Sequence, residues 1–176
     1  MKYGRAGRAG KIIIRFLLNS NSRIETTIRS VEVKTMLIQI CSQAEAVRLA
    51  SEARTGTSII SITSKEDEDV DFPDNPNVLS VLRLKFNDLY REYDDEGFPY
   101  GRPLPVSEDF EGLRDFVEGL ACDTLIVHCW EGASRSAAVA KAVYEFRGKT
   151  DELKADREIS PNPLVYALAC GELGIW

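Results

Sequence analysis

Residues 124–146 read TLIVHCWEGASRSAAVAKAVYEF. The first six, TLIVHC, form a strongly apolar, β-branched run of strand length. From Ser134 to Phe146 the pattern becomes helical, and Ala137, Ala138, Ala140 and Ala142 leave a helix slim enough to lie close against a sheet. A strand, a short loop carrying Gly132, and a helix therefore follow one another within 23 residues. That unit is the repeating element of α/β folds, and the chain on either side extends it.

Upstream, MLIQIC (36–41) is a short apolar strand. Ser42 follows it, with Glu45 three residues on, which is the capping-box spacing for a helix carrying Ala46, Val47, Leu49 and Ala50 and ending near Gly56. TSIISIT (57–63) is a second β-branched run, and the acidic, proline-containing SKEDEDVDFPDNPN after it reads as a solvated connection. VLSVLRLKF (78–86) alternates Leu82, Leu84 and Phe86 with Arg83 and Lys85, a strand pattern that stops at Asn87-Asp88. Residues 89–106 hold three prolines and two glycines in a connection long enough to be a lid or rim. Ser107 is placed to cap a helix with Phe110, Leu113, Phe116, Val117 and Leu120 on one face. After residue 146, Asn162 and Pro163 suit the cap and first position of a last helix, LVYALAC.

Strands alternating with helices predict a single-domain three-layer α/β sandwich, with a mostly parallel sheet of four to five strands and helices on both faces. In such a sheet ligands lie beyond the carboxyl ends of the strands, where Asp88 and Cys129 both fall.

The composition of the 176-residue chain, 44% hydrophobic and 28% charged, is that of an ordinary globular domain. Charge is unevenly spread. Residues 1–35 carry eight Lys/Arg against Glu25 and Glu32, while residues 36–176 carry fourteen against twenty-six acids. We therefore divide the chain into a basic N-terminal extension (1–35) and a domain (36–176) starting at Met36. So acidic a domain repels nucleic acid and anionic membranes, and an anionic substrate has to be held by a focused local site. No apolar run approaches the roughly 20 residues of a spanning helix. Cys41, Cys122, Cys129 and Cys170 show neither a C-x-x-C pair nor a disulfide framework, which predicts a reducing, cytoplasmic compartment, and a monomer is expected.

His128, the single histidine of the chain, directly precedes Cys129. Neighbours on a strand point to opposite faces, so His128 is not positioned to be the base for Cys129. One histidine and scattered cysteines also give no metal-ligand spacing, and no cofactor is expected. The loop itself offers another chemistry. Its successive backbone N–H groups, from Trp130, Glu131, Gly132, Ala133, Ser134 and Arg135, can turn inward as an anion nest at the positive end of the following helix. The same field favours the thiolate of Cys129, and Arg135 adds a planar two-pronged clamp for phosphate oxygens.

HCWEGASRS resembles the H-C-x5-R-S/T signature of the cysteine-based protein phosphatases, and with the AAVA that follows it is similar to their dual-specificity branch. The resemblance spans about residues 36–170 and includes the FND turn and the late PNP segment. It implies a cysteinyl-phosphate mechanism on a phosphorylated protein, with phosphotyrosine as substrate and phosphoserine or phosphothreonine also open. Cys129 would be the nucleophile, Arg135 and the loop amides would stabilise the transferring group, Ser136 would assist the departing thiolate, and His128 would hydrogen-bond within the loop to keep its shape. Asp88 would be the general acid, with Asp94, Asp95 and Asp109 as competitors. Glu131 departs from the small residue usual in that position, and Arg91 and Arg102 are its candidate partners. A rhodanese-like sulfurtransferase and a silent phosphate-binding module are the competing readings.

Overall fold

The computed structural model describes residues 35–175, so the extension read over 1–35 lies outside the described residues apart from Thr35. Five strands, β1 (Leu37–Ser42), β2 (Thr57–Thr63), β3 (Val78–Lys85), β4 (Thr124–Cys129) and β5 (Glu152–Ala155), form one sheet in the order β3-β2-β4-β1-β5. Every neighbouring pair is parallel. Parallel sheets survive with both faces covered, and four α-helices supply most of the cover: α1 (Gln43–Glu52), α2 (Leu113–Glu118), α3 (Arg135–Phe146) and α4 (Pro163–Leu173).

The side-chain period of two divides the apolar residues cleanly. Ile38, Ile40, Ile60, Ile62, Leu125, Val127 and Cys129 point to the face packed by α2, α3 and α4. Cys41, Ile59 and Ile126 point to the other face, against Ala46 and Ala50 of α1. The expected three-layer arrangement is present. Strand β4, inserted between β2 and β1, is the central strand of the sheet, and its carboxyl end is fixed from both sides by the pairings Ser42–Cys129 and Ser61–His128.

Three features depart from the sequence reading. The connection 64–77 is more than a solvated loop. It crosses the α1 face with no helix of its own, burying Val70, while Asn75 Nδ2 donates to the carbonyls of Ala50 (2.9 Å), Ser51 (3.2 Å) and Ala53 (3.1 Å) and so caps the carboxyl end of α1. The helix expected from Ser107 is broken into a 3₁₀ turn, Ser107–Phe110, and the short α2, because Gly112 takes φ +81° between them and Ser107 makes no side-chain cap. Its apolar residues still reach the core, with Phe86 and Phe110 stacked at 4.8 Å. Strand β5, the fifth of the four to five strands expected, lies where the sequence reading placed no element: it is a four-residue edge strand with Glu152, Lys154 and Ala155 exposed and Leu153 half-buried against the core. By contrast the Ser42 cap (accepting from Glu45 N at 3.3 Å) and the Asn162 cap (accepting from Leu164 N at 3.0 Å and Val165 N at 3.1 Å) form as the sequence predicts. Among the described residues no helix is long and apolar enough to cross a membrane.

Candidate active site

The loop 130–134 leaves β4 at the carboxyl edge of the sheet and enters α3 at Arg135. Gly132 makes its tight course possible. Its φ is +77°, and a Cβ there would stand 2.3 Å from the carbonyl carbon of Cys41 and 2.5 Å from Ser42 N, so the loop rests directly on the end of β1. Two further backbone bonds tie it down: Gln43 N donates to Trp130 O (3.2 Å) and Ser160 N donates to Ala133 O (2.9 Å).

The sulfur of Cys129 is buried under this loop. Gly132 N donates to Sγ at 3.3 Å, and the Ser136 hydroxyl lies 3.2 Å from it. Among the described residues no protein acceptor takes the N–H groups of Glu131, Ala133, Ser134 or Arg135, which stay available to an anion at the start of α3. Arg135 reaches the same place. Its Nη1 donates to Phe86 O (3.0 Å) and Ser64 Oγ (3.2 Å), which fixes the plane of the guanidinium. Its Nε is buried without a hydrogen-bond partner, although the side chain is only 7% exposed. A buried guanidinium N–H left open is costly unless a ligand takes it.

Asp88 joins this cluster from the end of β3. Its Oδ1 accepts from the Ser134 hydroxyl (2.8 Å) and from Asn162 Nδ2 (2.9 Å), and its Oδ2 lies 3.9 Å from Arg135 Nε. The three competing acids are engaged elsewhere. Asp94 accepts from Glu96 N and Phe98 N in a hairpin turn, Asp95 pairs with Arg91, and Asp109 pairs with Lys65 at 2.8 Å. The structure thus brings Cys129, Arg135, Ser136, Ser134 and Asp88 together.

One expectation about neighbours is corrected. Glu131 pairs with neither Arg91 nor Arg102: its carboxylate turns outward, 70% exposed, and accepts from Arg157 Nη1 at 3.2 Å. Arg91 is taken by Asp95. His128 turns its Nε2 away from the loop, 2.9 Å from Ser61 Oγ on β2, on the sheet face opposite Cys129, and Phe72 of the crossing connection packs edge-on against the ring at 5.7 Å. Two contributors were missed in the sequence. Ser64 orients Arg135, and Asn162 uses its amide NH₂ on Asp88 while its carbonyl caps α4. The available signal was that an asparagine cap has two donors to spare.

Burial pushes His128 down to about 4, with the charge of Arg135 acting in the same direction, so the ring is neutral at physiological pH. Cys41, its neighbour on that face, is pushed up to about 12 by burial and then by Asp156 and Glu45, and stays an inert thiol. The histidine carries a stability consequence. Between pH 6.5 and about 4 the unfolded chain takes up a proton that the folded ring refuses. Stability is therefore lost as pH falls through that window, by about 3 kcal/mol once both limits are passed, at about 1.4 kcal/mol per pH unit. Urea titrations from pH 7 to 4 are expected to show this loss in the wild type and a shallower one in His128→Gln; parallel slopes for the two proteins would contradict it.

No family model, curated protein or solved structure matches the chain. Among the described residues no group of three or more His, Cys, Asp and Glu side chains is placed to hold a metal ion.

Proposed function

We propose that the chain is a phosphatase that hydrolyses phosphate monoesters, phosphotyrosine first among them, through a cysteinyl-phosphate on Cys129. The observation that carries this reading is the open, buried Nε of Arg135 set beside a cysteine sulfur that already receives an amide N–H. Together they supply an anion clamp and a nucleophile, and the nearest protein anion, Asp88 Oδ2, stands 3.9 Å from the clamp, beyond hydrogen-bond distance.

The chemistry follows from the positions. The Cys129 thiolate attacks phosphorus as the bond from phosphorus to the ester oxygen breaks, and Arg135 with the loop amides takes the charge on the non-reacting oxygens. Both donors on Asp88 bind Oδ1, so Oδ2 is the oxygen that carries a proton and gives it to the leaving alkoxide or phenolate. Water then attacks phosphorus and gives a proton to Asp88, and the sulfur–phosphorus bond breaks. The Ser136 hydroxyl, 3.2 Å from Sγ, donates to the thiolate that departs. The guanidinium and amides supply the charge neutralisation, so turnover requires no added metal. All four cysteines are free, which suits a reducing compartment, the cytoplasm, where the nucleophile persists.

The test is hydrolysis of an aryl phosphate in the presence of a chelator, with acid quenching during turnover to trap phosphate on Cys129 for mass spectrometry. Absence of the phosphoenzyme in an active preparation counts against the mechanism. Asp88→Asn is expected to lower kcat by roughly 10²–10⁴ while phosphate binding persists, since it removes proton transfer and keeps the shape. Full aryl phosphate turnover in Asp88→Asn would remove Asp88 from the proton transfer, and a sulfur-transfer activity, the competing reading, would be indifferent to the substitution. The feature that favoured a silent module, Glu131, has its carboxylate turned away to Arg157, which supports an active loop.

A further inference from the structure

Resting on the phosphatase reading, we infer that the substrate is a phosphorylated polypeptide segment with lysine or arginine beside the phosphoresidue, docked in the groove between residues 89–106 and the start of α4. The groove has a volume of about 640 Å³ and is lined by Tyr93, Leu104, Pro105 and Leu164, with Glu92 and Arg102 on its wall. It adjoins the reaction centre through one residue. Asn162 holds Asp88 and, at 3.3 Å, Leu89 O, and Leu164 lies two residues further on, at most about 7 Å along an extended chain. A peptide whose phosphate sits on the loop of Cys129 therefore has an apolar trough immediately beside it.

Charge decides what kind of peptide fits. Residues 64–77 carry six carboxylates against Lys65, and residues 89–106 carry four against Arg91 and Arg102. Lys65 is occupied by Asp109 and Arg91 by Asp95, which leaves Arg102 as the one cation of these two connections without an ion-pair partner among the described residues. Among the described residues Glu66, Glu68, Glu92 and Glu96 are exposed and have no ion-pair partner, while Ser64, two residues before Glu66, touches Arg135. Outside its focused cradle, then, the rim of the site is acidic. Such a rim repels nucleotides, polyphosphates and acidic peptides, and attracts a phosphoresidue flanked by cations. Tyr93, Phe98 and Tyr100, all exposed on the same connection, offer faces on which arginine or lysine side chains stack, as Arg91 of the chain itself does over Tyr90 at 5.3 Å.

The experiment uses the full chain with an aryl phosphate and two phosphopeptides, identical except for Lys/Arg or Glu around the phosphoresidue. The basic peptide is expected to exceed the acidic one about tenfold in kcat/KM, through KM, with the gap shrinking as salt is raised. Glu66→Lys with Glu92→Lys should close that gap while kcat on the aryl phosphate stays unchanged, and Tyr93→Ser should raise KM for the peptides alone. Anisotropy with the same peptides on Cys129→Ser reads the preference even where turnover is slow. Equal handling of the two peptides, or tighter binding of a nucleotide or an inositol phosphate, overturns the inference while aryl phosphate turnover still upholds the phosphatase. Loss of aryl phosphate turnover and of the phosphoenzyme overturns both.

Discussion

Cys129→Ser is expected to remove turnover of an aryl phosphate almost entirely, by roughly 10⁴-fold or more, the scale on which enzymes lose activity with their nucleophile. The surroundings of the sulfur explain why the nearest isostere cannot substitute. Gly132 N and Ser136 Oγ lie at 3.3 and 3.2 Å from Sγ, and both are groups that can donate to sulfur as it takes on charge in the proposed reaction. A serine hydroxyl arrives protonated and needs a base. His128 is on the far face of β4, engaged with Ser61, and in the proposed first step Asp88 is committed to protonating the leaving oxygen, so it cannot also take the serine proton. No group is left to deprotonate the hydroxyl, so the loop would hold phosphate without reacting. The measurement is kcat by released phenol, alongside vanadate or phosphate binding by calorimetry. Turnover surviving in Cys129→Ser would remove the cysteine from the mechanism; binding lost with turnover would mean that the variant had disturbed the loop.

What the sequence disclosed and what it hid follow one physical division. Strands β2 and β4 and helix α3 were legible because each is determined by burial: Thr57–Thr63 is buried throughout, and a strand hidden on both faces has to be a continuous apolar or β-branched run. Strand β5 was not, because Glu152–Ala155 is an exposed edge whose backbone pairs with β1 alone, so its side chains carry no pattern. The same gap concealed the partner of Glu131, since Arg157 lies just beyond β5. The nearness of Cys129, Gly132 and Arg135 is local and followed from spacing. Asp88 comes from a different strand, and its bond to Ser134 spans 46 positions; only the strand order, with β2 lying between β3 and β4, brings the two loop starts to one edge. Helix 107–120 failed for a local reason that composition does not show. Gly112 is tolerable inside a helix, yet here it adopts a left-handed conformation that ends one turn and begins another.

Gly132→Ala is the second large effect, and it joins stability to function in one methyl group. The position has φ +77°, where an L side chain costs of order 1–3 kcal/mol. The new Cβ would also sit 2.3 Å from Cys41 C and 2.5 Å from Cys41 O and Ser42 N, all backbone atoms of a paired strand that cannot swing aside. Overpacking against a rigid neighbour adds about 1–3 kcal/mol, so the whole cost is about 2–6 kcal/mol, a large share of the about 5–15 kcal/mol that holds a domain together. The loop has a second choice, to lift away from β1. It would then pull Gly132 N from Cys129 Sγ and break the bond from Gln43 N to Trp130 O, so the anion cradle opens even if the sheet survives. Either response removes activity. Urea denaturation and aryl phosphate turnover of the variant are expected to fall together, or the fold to persist with kcat/KM reduced at least about a hundredfold, the scale of a displaced oxyanion donor. An alanine variant with wild-type stability and turnover would show that the loop does not rest on β1. The close approach of Gly132 to Cys41 and Ser42 means that the course of loop 130–134 is set by the central sheet, so the proposed anion cradle inherits its geometry from the strand beneath it.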